Sequence, residues 1–139
     1  MGTGNETPVA VTSVLVVDDQ GPFRRAARTV IDGLDDFELV GEAENGEEAL
    51  AMAGRLHPTV VLMDINMPGM DGIEATRRMV DADPDVFVIL LSTLALADLP
   101  ANVEASGARA YLSKETFGAD TLREIWGDGR RKPFSATDR

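Results

Sequence analysis

The stretch Val60-Val61-Leu62-Met63-Asp64 is an unbroken apolar run that ends at a carboxylate. A run of this length, rich in β-branched residues, is typical of a strand buried on both faces of a parallel sheet. The acid that follows such a strand lies at the carboxyl edge of the sheet, where open α/β folds build their sites. A second run, residues 14–17, ends in the same way at Asp18 and Asp19. Two predicted strands therefore direct acids toward one edge.

Two further apolar runs predict strands that end at polar side chains. Residues 86–91 are followed by Ser92, and residues 108–112 lead to Lys114. If these strands lie beside the first two, three carboxylates, a hydroxyl and an ammonium converge at one place. Hard oxygen ligands beside a single cation suit a site where a metal ion assists phosphoryl transfer.

The segments between these runs have the spacing and start signals of helices. Pro22 opens the first helix, and Asp71 caps the third. Asn45 followed by Glu48 predicts a cap with a reciprocal acid for the second helix.

The remaining elements complete an alternating order. Residues 37–43 predict a strand, residues 99–106 predict a short helix ended by Gly107, and the last helix begins at Asp120. The order βαβαβαβαβα implies parallel strands with right-handed crossovers. The predicted fold class is therefore α/β, with one sheet between two layers of helices.

Length and composition indicate one globular domain. A chain of 139 residues allows a single well-formed core, and its 44% hydrophobic and 27% charged residues are ordinary values. We predict a disordered leader over residues 1–10, one folded domain over residues 11–127, and a flexible tail or the beginning of a linker over residues 128–139.

The charge balance excludes some classes of partner. With 13 Lys and Arg against 24 Asp and Glu, the formal net charge is −11, so direct nucleic-acid binding by this chain is not expected. No apolar stretch reaches the ~20 residues of a membrane span, and the first residues lack the order of a signal peptide. The absence of cysteine removes disulfides and thiolate metal sites. A cytoplasmic protein without membrane contact is the expectation.

Four short segments resemble the receiver domain of two-component response regulators. They are Val16-Val17-Asp18-Asp19, Met63-Asp64-Ile65-Asn66-Met67-Pro68-Gly69-Met70-Asp71-Gly72, Leu91-Ser92-Thr93 and Tyr111-Leu112-Ser113-Lys114. The resemblance covers roughly residues 12–127. It implies a flavodoxin-like (βα)5 fold of three layers, with a five-stranded parallel sheet in the order 2-1-3-4-5.

The resemblance also implies a role for each acid and for the lysine. Asp64 is the expected phosphoacceptor, and Lys114 is expected to hold a phosphoryl oxygen. Asp18 and Asp19, together with Asp64 and the main-chain carbonyl of Asn66, are the expected ligands of Mg²⁺. This ion prefers hard oxygen ligands and binds through one or two carboxylates and a phosphate oxygen.

Two further residues are expected to carry the signal away from the site. Ser92 occupies the switch position of receivers, and Tyr111 matches the aromatic residue that follows it inward. The implied function is a phosphorylation-dependent switch, and not a turnover enzyme. It receives its phosphoryl group from a sensor histidine kinase and then contacts a downstream protein or a second copy of itself.

One position departs from the common receiver pattern. Many receivers have proline directly after the lysine, whereas this chain has Glu115, as in the NarL-like branch. A cis proline at this position is therefore excluded. Either the chain acts as a stand-alone receiver, or it is the receiver part of a NarL-like transcriptional regulator.

Two alternative functions stay open at this point. An Asp-nucleophile phosphohydrolase could use the same acids and lysine, although it would ordinarily need a cap or a substrate pocket. A pseudo-receiver would use the fold as an interaction module without phosphorylation. Its mark would be the loss of an acid or of the lysine, and none of them is missing here.

Overall fold

A computed structural model describes residues 10–93, 98–129 and 135–137. The expected leader lies outside the described residues apart from Ala10. Within these ranges the strands are β1 (Thr12–Val17), β2 (Phe37–Ala43), β3 (Val60–Asp64), β4 (Phe87–Ser92), β5 (Ala110–Ser113) and β6 (Ser135–Thr137). The α-helices of the same ranges are α1 (Gly21–Asp32), α2 (Gly46–Leu56), α3 (Gly72–Ala82) and α4 (Ala119–Gly129).

All the strands pair in parallel in one sheet of order β2-β1-β3-β4-β5-β6. The predicted order 2-1-3-4-5 of a receiver-type α/β fold is confirmed, and one strand extends it. β6 lies in the segment for which composition predicts a tail, and it pairs with the edge of β5, with Ser135 opposite Ala110. A three-residue strand is too short to show a periodic pattern in the sequence. An exposed edge provides unpaired N–H and C=O groups to any segment that returns beside it.

The predicted short helix over residues 99–106 is not an α-helix in the described residues. They form turns followed by a 3-10 helix, Glu104–Ser106, which ends at Gly107 with φ 96°. The Ser106 hydroxyl donates to the carbonyl of Val103 at 2.5 Å, and the Ser106 N–H donates to the same carbonyl. These local i to i+3 bonds replace the i to i+4 ladder, which explains the tighter geometry.

The sheet separates two apolar clusters, because alternate side chains of each strand point to opposite faces. In β1, Leu15 and Val17 belong to the cluster beneath α2 and α3, whereas Val14 and Val16 belong to the cluster beneath α1 and α4. Every residue of β3 is buried. The three predicted layers are therefore present, with the central strands enclosed on both faces.

The predicted helix caps are present with one adjustment. Asn45 Oδ1 accepts from the N–H of Glu48 at 2.8 Å, and Asp71 Oδ1 accepts from the N–H of Glu74 at 2.8 Å. The carboxylate of Glu48 reaches back to the N–H of Glu44, one residue before the cap. Each cap satisfies an N–H group that the first turn leaves unpaired.

The loop between β3 and α3 is held against the strand end at Gly72. Its N–H donates to the carbonyl of Ile65 at 2.9 Å. A Cβ at position 72 would lie 2.0 Å from the main-chain oxygen of Asp64. Only glycine permits this approach, so the helix begins directly beside the strand that carries the central acid.

We expect Gly72→Ala to lower the free energy of unfolding by at least about 3 kcal/mol, because backbone atoms must move to admit the methyl group. Urea unfolding measures the change. Gly54→Ala is the matched control, since nothing lies within 4 Å of its added Cβ in α2. The control should be more stable by about 0.5–1 kcal/mol. Equal effects of the two substitutions would contradict the close approach at Gly72.

Candidate functional site

Three carboxylates meet at the carboxyl edge of the sheet. β1 and β3 are neighbours with Val17 opposite Met63, so Asp18 and Asp64 follow from matched positions. Oxygen atoms of Asp18, Asp19 and Asp64 all lie within 4.8 Å of one another. Asp18 and Asp64 are buried, whereas Asp19 is exposed. Two like charges ~4 Å apart repel by about 4 kcal/mol at an effective dielectric near 20, so this cluster requires compensation.

Lys114, directly after β5, supplies the compensating charge from the far side of β4. Its Nζ lies 2.6 Å from Asp18 Oδ2 and 3.4 Å from Asp64 Oδ1. The main-chain N–H of Lys114 donates to the carbonyl of Ser92 at 2.9 Å, which holds the end of β5 against β4. A long side chain is needed here because the ammonium must cross the end of β4 to reach the acids.

The buried acid that ends β3 has a raised pKa. Burial is the main cause that raises the pKa of Asp64, from 3.8 to about 6, and the negative charge of Asp18 raises it further. The ammonium of Lys114 and the N–H of Asn66 oppose this rise. At neutral pH the Asp64 carboxylate is therefore mostly ionised, and the neighbouring positive groups offset only part of its negative charge.

The donor set fits a hard divalent cation. Every group in the cluster is a carboxylate oxygen, the ligand type that Mg²⁺ and Ca²⁺ prefer. Asp18 Oδ1 accepts from the N–H of Gln20 at 2.8 Å. Among the described residues, the buried Asp18 Oδ2 has no donor in hydrogen-bonding geometry, although Lys114 Nζ is close to it. A buried carboxylate oxygen without a hydrogen-bond donor is an atom that a cation would contact, as the ammonium of Lys114 already does here.

The main-chain loops around the acids are anchored as well. The N–H of Asn66 lies 3.4 Å from Asp64 Oδ1, and the Asn66 side chain is exposed. The predicted role of the Asn66 carbonyl stays a prediction. Asp71 caps α3 through Glu74, so it contributes to the loop and is absent from the acid cluster.

Arg24 belongs to the site and was not predicted. Its Nη1 donates to the main-chain oxygen of Asp18 at 2.5 Å, and its guanidinium lies 3.5 Å from Glu42 and 3.9 Å from Glu44. It therefore ties the loop after β1 to the end of β2. One feature of the sequence could have indicated this role. Arg24 lies in the first turn of a helix that follows two acids, and this position places it over the sheet edge.

The two predicted switch residues are both buried. Ser92 ends β4 and is 1% exposed, and Tyr111 lies in β5 with no exposed surface. The hydroxyl of Tyr111 lies 3.3 Å from the main-chain oxygen of Ser92, to which it donates. Tyr111 therefore has its inward position in this structure. The switching role of both residues stays a prediction.

The comparisons with known proteins agree with this geometry. The family profile described as the response regulator receiver domain matches residues 14–126. The chain belongs to this family. Among curated relatives, this receiver is 38% identical to the response regulator GacA of Pseudomonas syringae and 40% identical to the response regulator UvrY of Escherichia coli. Each match covers 81% of this chain and 52% of the relative. The receiver thus spans about half the length of these relatives.

Solved structures show the same fold. The signal receiver domain of the response regulator NarL from Mycobacterium tuberculosis superposes with a TM-score of 0.77 at 27% identity, covering 88% of this receiver and 99% of that chain. The response regulator domain of Thermotoga maritima CheB superposes with a TM-score of 0.74 at 31% identity, with the same coverage. Within the described ranges, this receiver has no helix long and apolar enough to cross a membrane.

The raised pKa of Asp64 predicts a pH-dependent cost in stability. Protonation of Asp64 favours the folded state. Its contribution to the free energy of unfolding is complete below about pH 4 and is lost as the pH rises through about 6. In buffer with a chelator at pH 7.5, the free energy of unfolding of Asp64→Asn should exceed that of the wild type by roughly 2–3 kcal/mol. Urea unfolding measures this difference. The difference should shrink on lowering the pH to 4.

Asp36→Asn is the matched control for this titration. Arg123, 2.8 Å away, holds the pKa of Asp36 below 3.8, so this acid has the opposite shift. Its substitution should give no stabilisation at pH 7.5. If Asp64→Asn raises the free energy of unfolding by the same amount at every pH, the raised pKa of Asp64 is not the cause.

Proposed function

We propose that this receiver is a phosphorylation-dependent signalling switch in which Asp64 accepts a phosphoryl group from a sensor histidine kinase. The observation that carries the proposal is the position of one buried, ionisable carboxylate between two other acids and a lysine. Asp64 lies within 4.8 Å of Asp18 and Asp19, and 3.4 Å from Lys114. Structural stability alone does not explain this arrangement, because it concentrates like charges.

In the proposed transfer, an oxygen of Asp64 attacks the phosphorus of a phosphohistidine in line with the leaving nitrogen. The new O–P bond forms as the N–P bond breaks, and the imidazole keeps the bonding electron pair and takes up a proton. Lys114 moves its charge from Asp18 toward the phosphoryl oxygens, and thereby stabilises the charge that enters the site. Water later attacks the acyl phosphate, which releases inorganic phosphate and restores Asp64.

Mg²⁺ is the proposed cofactor of this site. When bound, it neutralises the charge shared by the carboxylates and the entering phosphoryl group. Three ionised carboxylates and one ammonium leave a net charge of −2, which a divalent cation cancels. Asp18, Asp19 and Asp64 would hold the ion, with the main-chain carbonyl of Asn66 as a further oxygen ligand.

Ser92 and Tyr111 are the proposed route from the phosphoryl group to a partner. Phosphorylation adds about −1.5 to −2 charge at Asp64, and a hydroxyl at the end of the neighbouring strand can donate to it. A movement of Ser92 changes the position of the carbonyl that Tyr111 now contacts at 3.3 Å. The face around β5, α4 and the 3-10 helix would then reorganise.

The proposed output is a protein contact. The net charge of −11 disfavours direct binding of nucleic acid. The proposed partners are a sensor histidine kinase before phosphorylation, and a downstream protein or a second receiver after it. A stand-alone receiver and the receiver part of a NarL-like transcriptional regulator are both compatible with this output, and a cytoplasmic location is proposed for either.

The proposal is tested by labelling with acetyl phosphate. Asp64→Asn should abolish incorporation, because the nucleophile is lost, and Asp19→Ala should abolish the Mg²⁺ dependence of labelling. Asp71→Asn is the control, since this exposed cap lies outside the acid cluster and should label normally. Intact-mass measurement after brief exposure to the donor reads the result. Unchanged labelling of Asp64→Asn would refute the assignment.

The same experiment separates the alternatives. One lasting phosphoryl group per chain supports the switch. Rapid release of many equivalents of phosphate would instead indicate a phosphohydrolase. No incorporation into a folded wild type that binds Mg²⁺ would indicate a pseudo-receiver.

Beryllofluoride, which mimics a bound phosphoryl group, tests the switch. With Mg²⁺ present, we expect it to change amide hydrogen exchange in the 3-10 helix, β5 and α4. Exchange in α2 should stay constant, because this helix packs on β2 and α3. Ser92→Ala should bind beryllofluoride and lose most of the change. Identical exchange with and without beryllofluoride in the wild type would rule out this route.

A further inference from the structure

The ammonium of Lys114 has an aromatic neighbour in addition to its two acids. Its Nζ lies 4.9 Å from the centroid of the Phe23 ring, in the first turn of α1. The Phe23 ring contacts Phe117 at 5.6 Å between centroids, with the planes tilted by 55°. Phe117 lies three residues after Lys114, in the loop that leads to α4. The Phe23 ring therefore contacts both the ammonium and a second aromatic ring.

A cation over an aromatic face is attracted by the ring quadrupole, and the attraction grows when water is excluded. The side chain of Lys114 is 11% exposed, so this contact is largely desolvated. A ring offers charge stabilisation without forming a strong ion pair. It can therefore hold the ammonium near the acids while leaving its N–H groups available to other acceptors.

We propose that Phe23, supported by Phe117, is a positioning residue for Lys114. The ring keeps the ammonium at the cluster as it shifts from Asp18, at 2.6 Å, toward the phosphoryl group on Asp64. This inference rests on the proposed function and adds Phe23 as a residue that affects the rate of phosphoryl transfer to Asp64.

Packing alone does not account for the contact. Phe23 is only partly buried and lies at the edge of the cluster beneath α1 and α4. A leucine would provide similar apolar volume there. The aromatic face is what leucine lacks, and this difference defines the test.

The first measurement is the NMR signal of the lysine side chains. The chain contains two lysines, Lys114 and Lys132, so lysine labelled with ¹³C at the ε carbon gives two resonances. The Lys114 ε protons should be shifted upfield by the ring current of Phe23. Phe23→Leu should return them toward the free-lysine position, whereas Phe23→Tyr should retain the shift. An unshifted Lys114 signal in the wild type would overturn the proposal.

The second measurement separates charge attraction from shape. Phenylalanine at position 23 is replaced by analogues carrying one, two and three fluorines, which progressively weaken the negative ring face. The rate of acetyl phosphate labelling should fall at each step, to a total of about threefold to thirtyfold. The urea midpoint should also fall across the series, but it should stay constant across the same series when Lys114 is replaced by methionine, because only the attraction to the ammonium is weakened. Phe37→Leu is the control for loss of a buried ring, and it should retain the wild-type rate.

Failure of this inference is distinguishable from failure of the proposed function. A flat rate across the fluorinated series, with normal labelling at Asp64, would remove the role of Phe23 and leave the switch unaffected. If the urea midpoint falls equally across the series when Lys114 is replaced by methionine, Phe23 is a packing residue and the proposal is wrong.

Discussion

The buried ion pair between Lys114 and Asp18 is the interaction on which the site depends. Asp18 has no exposed surface, and its Oδ2 lies 2.6 Å from the ammonium. A buried carboxylate without a partner costs several kcal/mol, so the lysine offsets part of the cost of placing these acids at the carboxyl edge of the sheet. The compensation is incomplete, since one ammonium faces three carboxylates. Burial is the main cause of the raised pKa of Asp64, and the negative charge of Asp18 adds to it.

The fold holds this charge arrangement in place through elements that are far apart in sequence. β1 and β3 are adjacent, which brings Asp18 beside Asp64, and β4 separates them from β5, which Lys114 directly follows. Gly72 allows α3 to begin against the main-chain oxygen of Asp64. Parallel strands with helical crossovers bring all their carboxyl ends to one edge, so separate segments deliver their polar groups to the same place.

Much of this arrangement could be predicted from the residues. Apolar runs ending at acids marked the central strands, and cap signals at Asn45 and Asp71 marked two helices that the structure contains. The 3-10 geometry at Glu104–Ser106 was missed, because local hydrogen bonds of Ser106 compete with a helix that is too short to outweigh them. β6 was missed because its pairing depends on the edge of β5 and not on its own residues.

The sequence by itself determined the strand order of a receiver and the identity of the acids, lysine and hydroxyl. The strand order is implied by the resemblance to receivers, which a motif local in the chain carries. The acids, lysine and hydroxyl follow from apolar runs that end at polar side chains. Only the tertiary structure decided that Lys114 lies closer to Asp18 than to Asp64, that Arg24 ties the loop after β1 to β2, and that Phe23 faces the ammonium. Such contacts join side chains from different elements, and their distances depend on how the helices pack on the sheet. No pattern along one segment contains that information.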